Sequence, residues 1–203
     1  MKYLIKIRRI LVEPRQSFRR VFDAVRERML VRWVNLGGEW FRQYKGELYP
    51  EHLFHKKAMT YVYPLAAKYC TGDGLDIGAG AWPLPGAVPI ENASNENAYC
   101  LDRFADGSLD YVFSSHCLEH LDHWQEALRL WMRKLKTGGA LFLYLPHRDM
   151  VMWRPNEVYG RQHKWSPSFD VVSEFLKKCG AESIDGRKEH DEYYSFHVVA
   201  RKK

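Results

Sequence analysis

The residues best suited to binding a small molecule lie in a glycine-rich run, Gly74-Leu75-Asp76-Ile77-Gly78-Ala79-Gly80. In an α/β sheet, ligands bind beyond the carboxyl ends of the strands, and glycines there let a ligand approach the backbone closely. A nicotinamide cofactor is not expected, because Pro83 occupies the place of the third glycine in that fingerprint. The acidic residue two positions before the first glycine of the turn favours a cationic ligand instead. The alternative is a tight turn that binds nothing.

Three histidines have the spacing of a metal site, because His116, His120 and His123 would share one face of a helix. Asp122 is a suitable N-cap for the helix that follows. A helix that begins there would separate His123 from the other two. We therefore expect no metal site.

These residues must be positioned by the elements around them, and after Thr71 buried strands alternate with amphipathic helices. The predicted strands are 74–79, 87–91, 109–115, 140–145 and 195–201. Helices are predicted after Asp122 and from Ser166-Pro167, with proline at the first helical position. This alternation predicts a doubly wound, mostly parallel α/β sheet.

The first crossovers of this sheet are short. Only about seven residues separate the first two predicted strands, where a parallel crossover usually needs a dozen or more. Residues 1–50 are predicted to be a basic helical N-terminal extension, and residues 51–203 to form the catalytic domain. Helices within residues 1–70 would then cover the part of the sheet that lacks its own.

Three segments resemble, in order and spacing, the class I S-adenosylmethionine (SAM)-dependent methyltransferases. They are GLDIGAG from Gly74, FADGSLDYVFSSHCLEHL over 104–121 and LKTGGALFLYLP over 135–146. The resemblance covers roughly residues 65–203 and is closest to the small-molecule branch, including bacterial sugar, glycan or lipid-linked methyltransferases. It implies a Rossmann-like sheet of seven strands and SAM as the cofactor. In this family pattern His120 is a structural residue, and no metal is required.

The resemblance also implies a set of cofactor contacts. The methionine part of SAM would be held by Asp76, Gly78, Ala79 and Gly80. Glu91, which ends the second strand, would accept hydrogen bonds from the ribose hydroxyls. Asn97 is preferred on the adenine side, with Asp102 as the alternative. Ser115 and His116 would face the sulfonium and the mouth of the acceptor site.

Methyl transfer to a hydroxyl requires that the hydroxyl lose its proton, and a histidine with a pKa near 6.5 suits that task. The candidates are His116, His147 and His163, all expected at the carboxyl edge of the sheet. The alternative for each is an ordinary surface or hydrogen-bonded histidine.

The loop over 147–165 is the expected acceptor-binding segment, because long loops without periodicity in compact domains are usually functional or disordered. The candidate residues in it are Arg148, Trp153, Tyr159 and Trp165. Aromatic faces beside polar side chains suit a sugar, and arginine suits an attached phosphate. The alternative is a lid whose aromatic rings pack on the core.

Charge is unevenly distributed along the chain. Residues 1–70 hold 15 lysines and arginines against 6 acidic residues, whereas the remainder holds 16 against 19. The basic amphipathic stretch over 1–32 could lie on an anionic membrane, or it could dock on the sheet or on a second subunit. No apolar run reaches the ~18 residues that span a bilayer, and the four cysteines form no CxxC pair. A cytoplasmic protein, peripheral at the inner face of the membrane at most, is expected.

These observations predict an enzyme that transfers a methyl group from SAM to a hydroxyl of a sugar, glycan or related small molecule, as in polysaccharide biosynthesis. A homodimer is compatible with the sequence. The first alternative is an RNA methyltransferase, although nucleic acid is disfavoured because the catalytic part is mildly acidic. SSHC also stands where base-methylating enzymes carry an N/D-PP-Y-like string. The second alternative is a non-catalytic scaffold with a SAM fold, which the shortened adenine side favours.

Overall fold

The computed structural model describes residues 25–55, 58–92 and 96–203. The chain divides into two compact units, Met1–Glu51 and His52–Lys203. Within the described residues, no helix has both the length and the apolar character needed to cross a membrane.

The first unit contains an antiparallel three-stranded sheet formed by β1 (Arg32–Leu36), β2 (Glu39–Tyr44) and β3 (Glu47–Pro50). The two-residue loops Gly37-Gly38 and Lys45-Gly46 have positive φ at both positions, the backbone that matches the twist of a hairpin. The helical prediction for residues 1–50 is therefore wrong over 32–50. Residues 25–30 are helical, and the predictions for 1–24, including most of the proposed membrane-contact stretch, lie outside the described residues.

The second unit is built on a sheet of six strands in the order β5-β4-β6-β7-β9-β8. The strands are β4 (Gly74–Ile77), β5 (Val88–Ile90), β6 (Leu109–Ser115), β7 (Leu135–Pro146), β8 (Ala181–Arg187) and β9 (Ser195–Lys202). The first four are parallel, and β9 runs antiparallel between β7 and β8. The predicted Rossmann-like, mostly parallel sheet is confirmed, with six strands instead of seven in the described part of the chain.

The short crossovers explain the lower strand number. The described residues between β5 and β6 contain only an isolated bridge between Asn97 and Cys100. A further parallel strand would need a crossover connection of a dozen or more residues on each side. β8, which the sequence analysis did not predict, lies at the opposite edge and is largely exposed.

Helices cover both faces of this sheet. On one face lie α3 (Trp124–Lys134) and α4 (Phe169–Lys178), which bury side chains such as Trp131 and Leu176. α3 begins with His123 as its N-cap, not Asp122, and Ser168 caps α4 through a 3.4 Å hydrogen bond from the Val171 amide.

On the other face lie the short helices α1 (Ala58–Tyr61) and α2 (Tyr63–Ala66). Ala58, Val62 and Ala66 pack there against aromatic residues of β6 and β7. The helical segment is divided before Pro64. Residues 58–66 thus cover β6 and β7, and this is the cover that the structure shows from residues 1–70.

Candidate active site

The glycine-rich turn follows β4 at the carboxyl edge of the sheet. Gly78 and Gly80 have φ values of +79° and +59°, which glycine adopts without strain. The Gly78 amide donates a 2.8 Å hydrogen bond to the Ile90 carbonyl oxygen at the end of β5. A Cβ atom at position 78 would lie 2.6 Å from the Cys117 side chain. Both the backbone conformation and the lack of space therefore require glycine at position 78.

Asp76 lies buried inside β4, immediately before the turn. Its Oδ2 accepts a 2.7 Å hydrogen bond from the Leu84 amide. Burial raises the pKa of Asp76 to about 6, the Leu84 hydrogen bond opposes this shift, and the charge of Glu91 adds to it. The carboxylate is thus ionised at neutral pH in a poorly solvated place, where a cation would stabilise it.

Glu91 follows β5 and is exposed. Its Oε1 accepts a short hydrogen bond from the Gly80 amide, which fixes the carboxylate beside the glycine turn. Its Oε2 makes no hydrogen bond within the described residues and is open to a ligand. This position agrees with the ribose-binding role that the resemblance implies.

Two further predicted cofactor residues, Asn97 and Ser115, differ in their hydrogen bonds. Asn97 Oδ1 accepts a 2.9 Å hydrogen bond from the Tyr99 amide and so closes a local turn. Ser115 ends β6, and its buried Oγ has no hydrogen-bond partner among the described residues. An unsatisfied buried hydroxyl at this edge is a feature that a bound ligand would complete.

His116 directly follows β6 and has a φ of +49°, a strained value for a non-glycine residue. Its amide donates a 2.9 Å hydrogen bond to the Tyr144 carbonyl. Its ring lies between two polar groups, with Nε2 3.1 Å from Ser195 Oγ and Nδ1 3.5 Å from Glu119 Oε1. The edge of the ring also contacts Trp153, with 5.7 Å between centroids. The strained backbone therefore holds one imidazole between a carboxylate and a hydroxyl.

Glu119 is fully buried, and neither carboxylate oxygen accepts a hydrogen bond within the described residues. Three histidines surround it, since Nε2 of His120 and of His163 lie 3.9 and 4.0 Å from Oε1, in addition to His116. Burial raises the pKa of Glu119, but the nearby imidazoles outweigh burial, so the pKa lies below its usual value. The carboxylate is therefore the centre of an imidazole cluster.

The membership of this cluster differs from the predicted histidine triplet. Residues 118–120 form a 3-10 helix, so the spacing of an α-helix does not apply. His123 lies outside the cluster, beside the Tyr99 ring at 6.4 Å. The third histidine is His163 from the long loop, which sequence spacing could not indicate.

The three candidate bases all lie at the expected edge of the sheet. His147 and His163 line a small cavity together with Trp153. His147 Nδ1 accepts a 3.2 Å hydrogen bond from the Asp149 amide, and burial lowers the pKa of His147. Burial lowers the pKa of His163 to about 4, against the opposing charge of Glu119. His116 is the candidate that contacts both a carboxylate and a hydroxyl.

The predicted acceptor-binding residues fall into two groups. Trp165 stacks on Trp124 at 4.3 Å and donates a 3.0 Å hydrogen bond to the Leu118 carbonyl, so it packs as a lid residue would. Tyr159 packs against Phe54, with 5.4 Å between ring centroids. Trp153, by contrast, lies against His116, and the Arg148 side chain is exposed.

A larger cavity of about 400 Å³, which the sequence analysis did not predict, opens at the same edge. Its lining combines tyrosines, two cationic side chains, an acid and a histidine: Tyr61, Val62, Pro64, Leu65, Lys68, Tyr144, Arg187, Asp191 and His197. These residues come from helices, strands and loops far apart in sequence. The run DEYYSFH over 191–197 was the one local signal that could have indicated it.

Hydrogen bonds connect this cavity to His116. Tyr144 donates a 2.6 Å hydrogen bond from its hydroxyl to Asp191 Oδ2, and burial raises the pKa of Tyr144. Asp191 Oδ1 accepts a 3.1 Å hydrogen bond from the Ser195 amide. Since Ser195 Oγ contacts His116, the cavity wall and the imidazole belong to one hydrogen-bonded arrangement.

Comparison with known proteins gives one family match and several similar folds. Residues 84–143 match a family described as Methyltransferase domain. No curated protein sequence matches the chain.

Among solved structures, a SAM-dependent methyltransferase from Archaeoglobus fulgidus has a TM-score of 0.55 at 16% identity, over 75% of this chain and 100% of that one. A SAM-dependent methyltransferase of Thermotoga maritima, a possible histamine N-methyltransferase, has a TM-score of 0.53 at 15% identity, over 75% and 95% of the two chains. A protein from Pyrococcus horikoshii has a TM-score of 0.57 at 15% identity, over 73% and 92%. At these identities the likeness shows the fold.

The residues at this edge suit SAM, the cofactor named for the Archaeoglobus fulgidus and Thermotoga maritima methyltransferases. Gly80 in the turn is exposed, and buried Asp76 has no ion-pair partner among the described residues. Glu91 Oε2 is open, and buried Ser115 Oγ is unsatisfied within the described residues. The glycine turn and Asp76 would hold the methionine part, Glu91 the ribose, and Ser115 the region of the sulfonium.

Proposed function

We propose that the chain transfers the methyl group of SAM to a hydroxyl of a sugar, glycan or related small molecule. The match to a methyltransferase domain over residues 84–143 and the fold shared with SAM-dependent methyltransferases support methyl transfer. The observation that carries this proposal is the position of His116 between Glu119 and Ser195, directly after β6. A hydroxyl acceptor needs such a base, because the neutral alcohol is a weak nucleophile.

Residues of this chain would accept the proton that the acceptor hydroxyl loses. Glu119 faces Nδ1 of His116, which favours the proton on that nitrogen and leaves Nε2 as the basic atom. Ser195 Oγ holds the ring at Nε2, and an acceptor hydroxyl would share or replace this contact. When bound, SAM supplies a methyl group on a sulfonium that is already a good leaving group. The remaining task of the protein is alignment, which proximity makes effective.

The 400 Å³ cavity supports an anionic, polyhydroxylated acceptor. The exposed ring of Tyr61 offers a flat surface for a sugar ring, and the side chains of Lys68 and Arg187 offer positive charge for a phosphate or carboxylate. The hydrogen bonds from Tyr144 to Asp191 and from Ser195 to Asp191 link this lining to His116. A sugar phosphate or an acidic sugar is therefore the preferred acceptor class.

The test separates the donor site from the acceptor chemistry. Calorimetry with SAM and with its demethylated product measures the donor site, and the absence of binding would favour the scaffold alternative. A panel of monosaccharides, sugar phosphates and nucleotide sugars, followed by release of demethylated SAM, identifies the acceptor. A short RNA in the same panel tests the nucleic acid alternative; methylated RNA would replace the hydroxyl proposal.

The base is tested by substitution. We expect His116→Ala to lower kcat by about 10²–10⁴-fold while the variant still binds SAM. His147→Ala is the matched control at the same edge and should keep most of the activity. Turnover by the His116 variant within a few-fold of the parent would remove the base from the mechanism.

The same proposal places the enzyme at the cytoplasmic face of a membrane, where a lipid-linked or glycan acceptor would be met. Support comes from the basic N-terminal third and from the exposed rings of Trp33 and Trp40, which are 52% and 54% accessible. Flotation with phosphatidylglycerol vesicles should recover the protein, and the Trp33→Ser/Trp40→Ser variant should float less. Equal recovery of both proteins, or equal binding to phosphatidylcholine, would contradict this location.

A further inference from the structure

A fully buried carboxylate without hydrogen bonds requires compensation. Glu119 has no exposed surface, and no described residue donates a well-formed hydrogen bond to either oxygen; the nearest imidazole nitrogen is His116 Nδ1, 3.5 Å from Oε1. An ionised carboxylate removed from water is strongly unfavourable unless it is paired or bound to a metal. The contacts with His116, His120 and His163 at 3.5–4.0 Å are longer than hydrogen bonds to a carboxylate, which measure about 2.7–2.9 Å. The geometry therefore leaves room for a further group between the side chains.

Three of these side chains converge on one point. One ligand atom each of Glu119, His120 and His163 lies within 4.8 Å of the others. The rings of His120 and His163 meet edge to face, with 4.7 Å between their centroids. Neighbouring ligands of a tetrahedral zinc ion are about 3.3 Å apart, given metal–ligand bonds of about 2.0–2.1 Å. A small closure of the three side chains would bring them to that spacing.

The backbone around the cluster orients the rings. His120 Nδ1 contacts the Gln162 carbonyl oxygen at 3.2 Å, so Nε2 faces Glu119. His163 has a hydrogen bond to the backbone of Trp153, and its Nε2 also faces Glu119. In metal sites the second ring nitrogen of a ligating histidine is held in this way by a carbonyl or carboxylate. A 2.7 Å hydrogen bond from the Lys164 amide to the Glu119 carbonyl joins the two segments.

We propose that Glu119, His120 and His163 bind a divalent transition-metal ion, with zinc as the first choice. Two imidazoles and one carboxylate form the donor set of zinc and of other first-row metals, whereas magnesium and calcium prefer oxygen ligands. His120 is 38% accessible and provides the route of entry. The carboxylate has enough lone pairs for both the ion and Nδ1 of His116. This site replaces the sequence expectation that no metal is bound.

Binding is tested directly, without SAM or acceptor, on full-length protein from which any histidine tag has been removed. After treatment with a chelator, calorimetric titration should show one equivalent of Zn²⁺ and no binding of Mg²⁺. Co²⁺ should bind at the same site and give a visible absorption band. Zn²⁺ should also raise the Tm. Lack of saturable Zn²⁺ and Co²⁺ binding would overturn the site, whether or not the protein methylates a hydroxyl.

Two variants and a matched control assign the ligands. His120→Asn and His163→Asn should each weaken Zn²⁺ binding at least 10-fold. His123→Asn removes a histidine of the same segment that lies outside the cluster, and it should bind Zn²⁺ like the parent. The Tm of each metal-free variant checks that it folds, and the exposed position of His120 favours folding of that variant. Parent-like affinity in both cluster variants would assign any bound zinc elsewhere and overturn the proposal.

Discussion

Ser195 Oγ lies 3.1 Å from His116 Nε2, although 79 residues separate the two in the sequence. The sheet produces this contact, because β9 runs antiparallel beside β7 and therefore begins at the edge where β6 ends. Ser195 is buried, and its Oγ also contacts the Tyr193 carbonyl oxygen at 3.2 Å. The hydroxyl is thus fixed before any acceptor arrives, and it fixes the ring in turn.

The first prediction concerns this hydroxyl. Ser195→Ala should lower kcat by about 10-fold or more, because the His116 ring loses the partner that holds Nε2, while the Kd for SAM stays unchanged. Ser173→Ala is the matched control, since Ser173 Oγ is also buried but has no hydrogen-bond partner among the described residues. Equal kcat values for the two variants would show that Ser195 does not position the ring.

The second prediction concerns the glycine turn. Gly78→Ala should lower the free energy of unfolding by about 2–5 kcal/mol, because it combines a positive φ with a Cβ atom 2.6 Å from the Cys117 side chain. Gly86→Ala has a similar φ of +86° but no atom within 4 Å, so it should cost only about 1–2 kcal/mol. Urea unfolding of the three proteins measures the difference. Similar urea midpoints for both variants would mean that the turn accommodates the added methyl group.

The third prediction uses the raised pKa of Asp76. Its pKa of about 6, against an ordinary 3.8, means that the folded protein holds this proton more tightly than the unfolded chain. The tighter binding of this proton therefore adds to the free energy of unfolding at low pH. This contribution is lost as the pH rises from about 4 to 6. At neutral pH the folded protein bears the cost of an ionised, buried carboxylate. Asp76→Asn should remove this cost and raise the free energy of unfolding at pH 7.5 by about 1–3 kcal/mol. The gain should shrink towards pH 4.

The same variant should bind SAM at least 10-fold more weakly, because the carboxylate that would face the cationic methionine part is gone. Asp170→Asn removes an exposed carboxylate of α4 and serves as the control for both measurements. A variant that binds SAM normally while gaining stability would show that Asp76 is a structural acid only. A loss of stability at neutral pH would contradict the raised pKa.

The sequence predicted the parts of the site that follow one another along the chain. β6 was predicted to its end residues, and Gly78, Gly80 and Ser115 lie where a glycine turn and a strand end require them. Glu91 was also placed correctly beside the turn, because the parallel pairing of β4 with β5 aligns their ends. Local pattern and strand order suffice for such residues.

The other parts depend on contacts between distant segments. His163 reaches Glu119 from a loop, and Ser195 reaches His116 through an antiparallel strand, so neither pairing has a periodic signal. The strands of the first unit were missed because the helical reading there depended on apolar spacing alone. The positive φ values at Gly37-Gly38 and Lys45-Gly46 turn that segment into hairpins.

The last prediction separates two tryptophans of the long loop that the sequence treated alike. Trp165 is stacked between the core and Trp124 and donates a hydrogen bond to Leu118, whereas Trp153 contacts the edge of His116. Trp165→Leu should therefore lower the free energy of unfolding by about 2–4 kcal/mol, through lost packing and the loss of its hydrogen bond to Leu118. Trp153→Leu should change stability less and should raise KM for the acceptor or lower kcat. Each variant is the control for the other, and the opposite pattern would make Trp165 the acceptor-binding ring.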